Sequence, residues 1–479
     1  NSGEITLVQI NDTHAYFELH PELFWSPQGA SYRPAGGYAR IAALLKQIRE
    51  QKPGRVLAFD GGDTLHGTYA AVQTKGAALL PILNSLALDG MTGHWDFAYG
   101  PKRLKWLASQ LNYPMLAANC FDETTNELIF PPYSIYEAGG IRVGVIGLAA
   151  YIVDKTMPAH FSEGIRLTIG NEELPPIIRK LREEERVGLV VVVSHLGFSQ
   201  DMQLAQEVDG IDVVLSAHTH NRLFEPARTN NTLIIQSGCH GSFVGQLDLT
   251  VENGKVVDAR HRLITVEMDI PPDSEVEALV NEALAPYRQE LSELVGHTDV
   301  ALNRNTVLES TMDNFLLSAI LAKTGAEIAF SNGWRYGAPV PVGEITLNDL
   351  YNITPMNPPV SVVEMRGEEI WAMLEENAES TFARSAYDQM GGYFKRSRGL
   401  NIYLKIENPK GQRTQEIFAG SERLDPKRIY TAAFVTTQGV PAKYGQNRRE
   451  VGIGAVEAMR EALERGQADG RLMGNVVAV

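Results

Sequence analysis

Ile5-Thr6-Leu7-Val8-Gln9-Ile10-Asn11-Asp12-Thr13-His14 decides the fold of this chain. Its first six residues have the length and composition of a buried strand, and two side chains of metal-ligand type, Asp12 and His14, stand just past the strand's C-terminal end. The pattern recurs down the chain. Val56 to Phe59, Val143 to Ile146, Leu189 to Val193 and Val213 to Leu215 read as further buried strands. Between them, Tyr38 to Glu50, Lys75 to Leu86, Lys102 to Leu111 and Glu172 to Glu185 read as helices with one apolar face. This alternation predicts an α/β layered domain whose helices cover the sheets. Phe243 to Val251, the Asn253-Gly254 turn and Val256 to Val266 predict a hairpin that closes it.

At 479 residues the chain exceeds what one compact core holds, so two domains and a connector are expected. Pro271 and Pro272 interrupt the pattern, and Ser274 to Val295 reads as one long helix with polar and apolar faces. The expected division is a catalytic domain over 1–269, a helical linker over 270–297 and a second domain over 298–479. The second domain mixes helices such as Met312 to Lys323 with strands such as Val360 to Met365 and Leu400 to Ile406.

Composition excludes several function classes. Hydrophobic residues at 44% and charged residues at 21% describe an ordinary globular protein, and no apolar run reaches the length of a membrane span. A formal charge of -15 disfavours a nucleic-acid polymer as partner, because that binding relies on Lys and Arg displacing counterions. The two cysteines, Cys120 and Cys239, form no Cys-x-x-Cys pair, which argues against thiolate metal sites. The start at Asn1, without a basic-then-apolar segment, fits a cytosolic protein or an exported one numbered after processing.

Chemistry concentrates at strand ends. Asp12 and His14 share an i, i+2 spacing that puts both side chains on one side of an extended segment. Asp63 follows the second strand within Gly61-Gly62-Asp63, where small neighbours allow a carboxylate to approach a cluster closely. His94 follows Gly93, His195 ends the Val191 to Ser194 strand, and His218-Thr219-His220 repeats the i, i+2 spacing after Asp212 to Ser216. A lone His at a strand end is usually a hydrogen-bonded structural residue; an ordered set at the ligand-binding edge of an α/β sheet is harder to attribute to chance. Oxygen and imidazole donors without thiolate suit two divalent ions, Mn first and Zn, Fe or Co next, with one carboxylate bridging ions roughly 3.5 to 4 Å apart. Two such cations exceed the charge of two carboxylates, so the expected reaction is hydrolysis of an anionic phosphorus or sulfur oxyanion. No Gly-x-Ser-x-Gly elbow supports a serine hydrolase.

Gln9-Ile-Asn-Asp-Thr-His14, Asp60-Gly-Gly-Asp-Thr64, Ser194-His-Leu-Gly197 and Ala217-His-Thr-His220 together resemble the metallophosphoesterase domain of the 5′-nucleotidase superfamily. The resemblance implies a four-layer α/β/β/α calcineurin-like catalytic domain and a smaller α/β C-terminal domain that recognises substrate, in a periplasmic or secreted protein. It implies Asp12, His14, Asp63 and His220 around one metal, and Asp63, His94, His195 and His218 around the other.

Residues 93–98 depart from the nucleotidase pattern Gly-Asn-His-Glu-Phe-Asp. They read Gly93-His94-Trp95-Asp96-Phe97-Ala98, so the family's catalytic His becomes Trp95 and its Asp partner becomes Ala98. That string is similar to the thiohydrolase branch of the Sox sulfur-oxidation pathway, as are Ser310-Thr-Met-Asp313, Ser331-Asn-Gly-Trp-Arg-Tyr-Gly337 and Tyr387-Asp-Gln-Met-Gly-Gly392. Asp96 stands where that branch usually has Glu, and Asn119-Cys120 looks nucleotidase-like. Carried over, the resemblance implies catalytic roles for His94, Trp95, Arg335 and Arg396 and substrate contacts from Phe394, Tyr387 and Asn332. A guanidinium fork suits sulfonate or phosphate oxygens. Phe394 matches one ring of the nucleotidase base clamp, whereas Thr437 stands where the other ring is expected.

Three functions follow as expectations. The first is release of sulfate from a thiosulfonate on the cysteine of a small sulfur-carrier protein. The second is a phosphohydrolase acting in nucleotide catabolism or on other phosphate esters, and the third a metal-binding surface protein without catalysis.

Overall fold

The computed structural model describes residues 2–479 and divides into two compact units. One comprises residues up to His20 with Pro34–Pro286, the other Pro21–Arg33 with Tyr287–Val479.

The first unit is built on two sheets. In one, Gly3–Ile10 lies between Phe243–Glu252, antiparallel to it, and Val56–Asp60, parallel to it, with Lys255–Thr265 and Gly90–Met91 at the edges. In the other, Leu189–Ser194 runs parallel to both Ile141–Leu148 and Val213–Leu215; Thr232–Ile235, Ala227–Thr229 and Tyr133–Ala138 complete it. Ile5, Leu7, Leu57, Phe59, Leu247 and Leu249 meet Val143, Val145, Val191, Val193, Val213 and Leu215 in one apolar layer, because alternate residues of a strand point to one face. The opposite faces are buried as well, which is why these strands read as continuous apolar runs rather than alternating ones. Helices cover the outer faces. Leu174–Glu183 packs so closely at Gly144 that a methyl group there would meet Leu181 Cδ1 at 2.9 Å. The α/β/β/α calcineurin-like arrangement expected from the sequence is the one observed.

Two expected helices are broken. The connector is Ser274–Leu284, a separate turn Arg288–Leu291 and then the strand Leu294–Thr298, not one helix to Val295. Asp273 starts it by accepting the Val276 N–H at 3.0 Å, and Pro286 ends it, since its ring and missing N–H cannot continue the ladder. Lys75 to Leu86 likewise divides into a 3₁₀ turn at Ala77–Leu79 and a helix at Leu80–Ser85, after left-handed backbone at Lys75 (φ 46°) and Gly76 (φ 83°).

The second unit holds a five-stranded mixed sheet in the order Tyr393–Arg398, Ile328–Gly333, Ile429–Val435, Pro359–Arg366, Gln446–Gly454, with a four-stranded sheet built on Leu400–Leu404 and Thr414–Ala419. Its core gathers Phe330, Met365, Ile370, Leu374, Ile402 and Phe434. The strand pair within residues 20–35 escaped the sequence reading. The part of it grouped with this unit is tied there by Asn303 Nδ2, which donates to the Tyr32 hydroxyl at 2.8 Å.

Candidate metal centre

Register brings the ligand loops together. Ile10 pairs with Asp60 across parallel strands, and beyond them the two loops continue to bond: Gly61 N–H to Ile10 C=O at 2.9 Å, Asp12 N–H to Gly62 C=O at 2.9 Å, His14 N–H to Asp63 C=O at 2.7 Å. Small residues make this approach feasible. A Cβ on Gly61 would meet the Cβ atoms of Asn11 at 2.8 Å and Ala217 at 2.9 Å, and Gly62 takes φ 93° against the 92–93 backbone. In the second sheet, Val193 pairs with Leu215, so His195 and the His218-Thr219-His220 turn leave from the same edge.

The seven side chains form two overlapping groups. Ligand atoms of Asp63, His94, His195 and His218 lie within 4.8 Å of one another, and so do those of Asp12, His14, Asp63 and His220. Asp63 belongs to both. Its Oδ2 lies 3.2 Å from His195 Nε2 and 3.5 Å from His14 Nε2, and its Oδ1 lies 3.2 Å from His94 Nδ1. Asp12 Oδ1 lies 3.4 Å from His220 Nε2 and 3.6 Å from His195 Nε2. All are buried except His220, which is partly so.

These atoms fit divalent cations. Asp12 Oδ1, His94 Nδ1 and His195 Nε2 are buried without a hydrogen-bond partner although they lie close to the other donors of the cluster, a costly arrangement that a cation would satisfy. Charge agrees. Burial pushes Asp63 up, yet His195, His94 and His14 hold its carboxyl well below the usual carboxylate range. Burial pulls His195 down, but Asp63 and Asp12 outweigh it and carry the ring to about 10, so the cluster attracts positive charge. Two metals of the calcineurin-like type would be held by these residues, with Asp63 shared.

Backbone and second partners fix the donors. Asp12, His14, Asp63, His218 and His220 all have left-handed backbone, with φ between 48° and 77°; Asp and His tolerate that region better than most residues, and such outliers gather at functional sites. Asn11 Nδ2 and the His218 N–H both donate to Asp12 Oδ2, at 2.7 and 3.0 Å, and the Trp95 N–H donates to Asp63 Oδ1 at 2.7 Å. His195 Nδ1 lies 2.6 Å from the Gly61 carbonyl oxygen, which turns Nε2 toward the carboxylates. Asp96, which the sequence marks only as the acid of the 93–98 string and gives no role, accepts the N–H groups of Asp63 and His94 on Oδ2 and those of Thr64 and Leu65 on Oδ1, at 2.8 to 3.1 Å.

Trp95 stands next to the candidate ligand His94, buried, with its ring stacked on His66 (centroids 4.5 Å apart, planes at 14°) and edge-on to Phe161 at 5.5 Å. Cys239, noted in the sequence only for forming no Cys-x-x-Cys pair, and His240, given no role there, lie at the same edge: the His240 N–H donates to the Asp12 carbonyl at 2.6 Å.

In the second unit the expected substrate residues separate. Phe394 is fully buried in the core, stacked with Phe382 at 6.3 Å, so it offers no ring face to a base and the expected clamp role is corrected. Arg396 is also buried. Its Nε donates to Asp313 at 2.9 Å and its terminal nitrogens to the Val307 and Thr306 carbonyls, an internal anchor instead of an anion contact. Arg335, Tyr387 and Asn332 are half-buried, and the Arg335 guanidinium lies 5.1 Å from the Tyr393 ring centre. Tyr393, not Phe394, is the half-buried ring of this strand.

Comparison with known proteins agrees with this architecture. Residues 5–222 match the calcineurin-like phosphoesterase family, and residues 292–438 match the 5′-nucleotidase C-terminal domain. Among solved structures, the sulfate thiohydrolase SoxB of Thermus thermophilus is 26% identical with a TM-score of 0.92, covering 100% of this chain and 97% of that one. The 5′-nucleotidase of Vibrio cholerae is 25% identical over 81% of this chain and 78% of its own length. The trifunctional nucleotide phosphoesterase YfkN of Bacillus subtilis is 25% identical over 89% of this chain, which spans only 31% of that longer protein. No helix among the described residues is long and apolar enough to cross a membrane.

Proposed function

Because the chain belongs to the 5′-nucleotidase superfamily of metallophosphoesterase hydrolases, we propose that it releases sulfate from a thiosulfonate carried on the cysteine of a small carrier protein. The observation that carries this reading is Trp95. Beside ligand His94, where the nucleotidase pattern has an ionisable ring and an Asp partner, this chain has an indole locked between His66 and Phe161, and a buried Ala98. Such a wall donates no proton to a phosphate ester's leaving oxygen. A sulfur leaving group is the conjugate base of a stronger acid than an alcohol and needs less help of that kind.

In the proposed step the oxygen of water bonds to the sulfonate sulfur as that sulfur's bond to the neighbouring sulfur breaks; sulfate leaves, one proton of the water goes to the persulfide that the carrier keeps, and the other goes to solvent. Two divalent ions, Mn in this proposal because the donor set is oxygen and nitrogen, would supply the Lewis acidity and the activated water. The protein residues orient and exclude: Asp96 and Asn11 hold the ligand loops, and Trp95 with Phe161 keeps bulk water from one side. Arg335 is the proposed anion contact in the second unit, with Asn332 and Tyr387 as proposed neighbours of the substrate. An exported, periplasmic setting belongs to the same proposal.

A nucleotide or phosphate-ester substrate is the second reading, favoured by the nucleotidase relatives that align over most of the chain. Purified Mn-loaded protein offered a cysteine S-thiosulfonate peptide and AMP in parallel separates the two. Sulfate release well above AMP hydrolysis is expected; brisk AMP turnover with no sulfate would reject the first reading.

A further inference from the structure

His220 faces the cluster through one nitrogen only. Its Nε2 lies 3.4 Å from Asp12 Oδ1 and 3.3 Å from His14 Nε2, which directs the other ring nitrogen away from the cluster. The His220 side chain also hydrogen-bonds to Cys239, whose sulfur lies 3.4 Å from His240 Nδ1. Most buried cysteines are small hydrophobes among apolar neighbours, whereas this one sits between two imidazoles. His195, by contrast, has a backbone carbonyl, that of Gly61, behind its ring.

We propose that Cys239, held by His240, is the positioning residue that orients His220 toward its metal, a thiol filling the place that a carboxylate or carbonyl takes behind most metal-bound histidines. One sulfur can accept from one ring and donate to the other, so it fixes which His220 nitrogen faces the cation and resists rotation of the ring. His240 is fixed in turn through its backbone, whose N–H donates to the Asp12 carbonyl at 2.6 Å, with φ 59°. The inference rests on His220 being a ligand alongside Asp12, His14 and Asp63.

The test uses the full chain loaded with Mn²⁺ or Co²⁺. Wild-type protein holding two ions upholds the ligand assignment; fewer than two would end that reading irrespective of Cys239. Given two ions, Cys239→Val, which keeps bulk without a hydrogen bond, should weaken one of them by about 10- to 100-fold and shift the Co²⁺ d–d bands. Cys239→Ser, which keeps the hydrogen bond, should stay close to wild type. Either variant decides alone if the other fails to fold. Cys239→Val with wild-type affinity, or Cys239→Ser as weak as a ligand deletion, overturns the proposal. So would a sulfur-to-cobalt charge-transfer band in the wild type, which would make the thiol a direct ligand.

Discussion

The Asp96 carboxylate accepts the backbone N–H of Asp63 at 2.8 Å, so a side chain outside both candidate ligand groups sets the position of the residue they share. Its other oxygen holds Thr64 and Leu65, and it is wholly buried. Replacing Asp96 by Ala leaves four N–H groups without their acceptor, each costing about 1–3 kcal/mol when buried. The expected result is a fall in stability of more than about 3 kcal/mol by denaturant titration, together with reduced metal content.

Asp63 and His218 should differ in kind. Asp63→Ala removes the ligand common to both groups and should leave protein almost devoid of metal, whereas His218→Ala touches one group and should retain about one ion, its loss exceeding the roughly 100-fold of an outer-shell change. Metal analysis after dialysis against a fixed Mn²⁺ concentration measures both.

Trp95→His with Ala98→Asp restores the ionisable pair of the nucleotidase pattern. If the indole directs substrate choice, AMP hydrolysis should rise by about 100-fold or more, the scale of a positioned acid or base, while sulfate release from the peptide falls. Parallel kcat/KM values for the two substrates read the switch.

Arg396→Met should behave as a stability variant. Asp313 would keep Arg304, whose Nε donates at 3.0 Å, and the Ser310 hydroxyl at 2.7 Å, but lose its second guanidinium, and breaking a buried pair costs about 3–5 kcal/mol. A lower denaturation midpoint with substrate KM little changed is the expected outcome.

Lys395 gives a pH signature. Burial pulls its ammonium down to about 7, though it donates to the Gln438 and Gly439 carbonyls at 2.7 and 2.8 Å. Its folded value lies below its unfolded value near 10.5, so the folded state binds fewer protons between them. Its stability contribution is complete above the unfolded value and is lost as pH falls toward 7. Denaturation free energy should therefore rise from pH 7 to 9 by up to about 1.4 kcal/mol per pH unit relative to Lys395→Met.

Strands and the residues of the candidate cluster were legible because both leave local marks. Leu189 to Val193 is apolar throughout because both its faces are buried, and the ligand pairs Asp12/His14 and His218/His220 carry their spacing in the chain. What lay beyond reading depends on distant neighbours. Asp96 matters through the amides of residues 63–65, Phe394 was matched by position alone although strand alternation turned it into the core and left Tyr393 half-buried, and Arg396 meets Asp313 across 83 residues. The long helix failed for a local reason that was visible, Pro286, which a strong amphipathic pattern on either side outweighed.

Left-handed backbone recurs at five of the seven candidate ligand positions, Asp12, His14, Asp63, His218 and His220. Each such residue is about 1–2 kcal/mol less comfortable than in ordinary geometry, so the ligand turns are shapes the chain would not keep on its own merits. Chelated protein should loosen first at Asp12 to Ala15 and His218 to His220, with faster amide exchange there than in the strands that lead to them. Cations at this edge would then serve as fasteners of the turns as much as reagents, and starvation for metal would be felt as local unravelling before it was felt as slow chemistry.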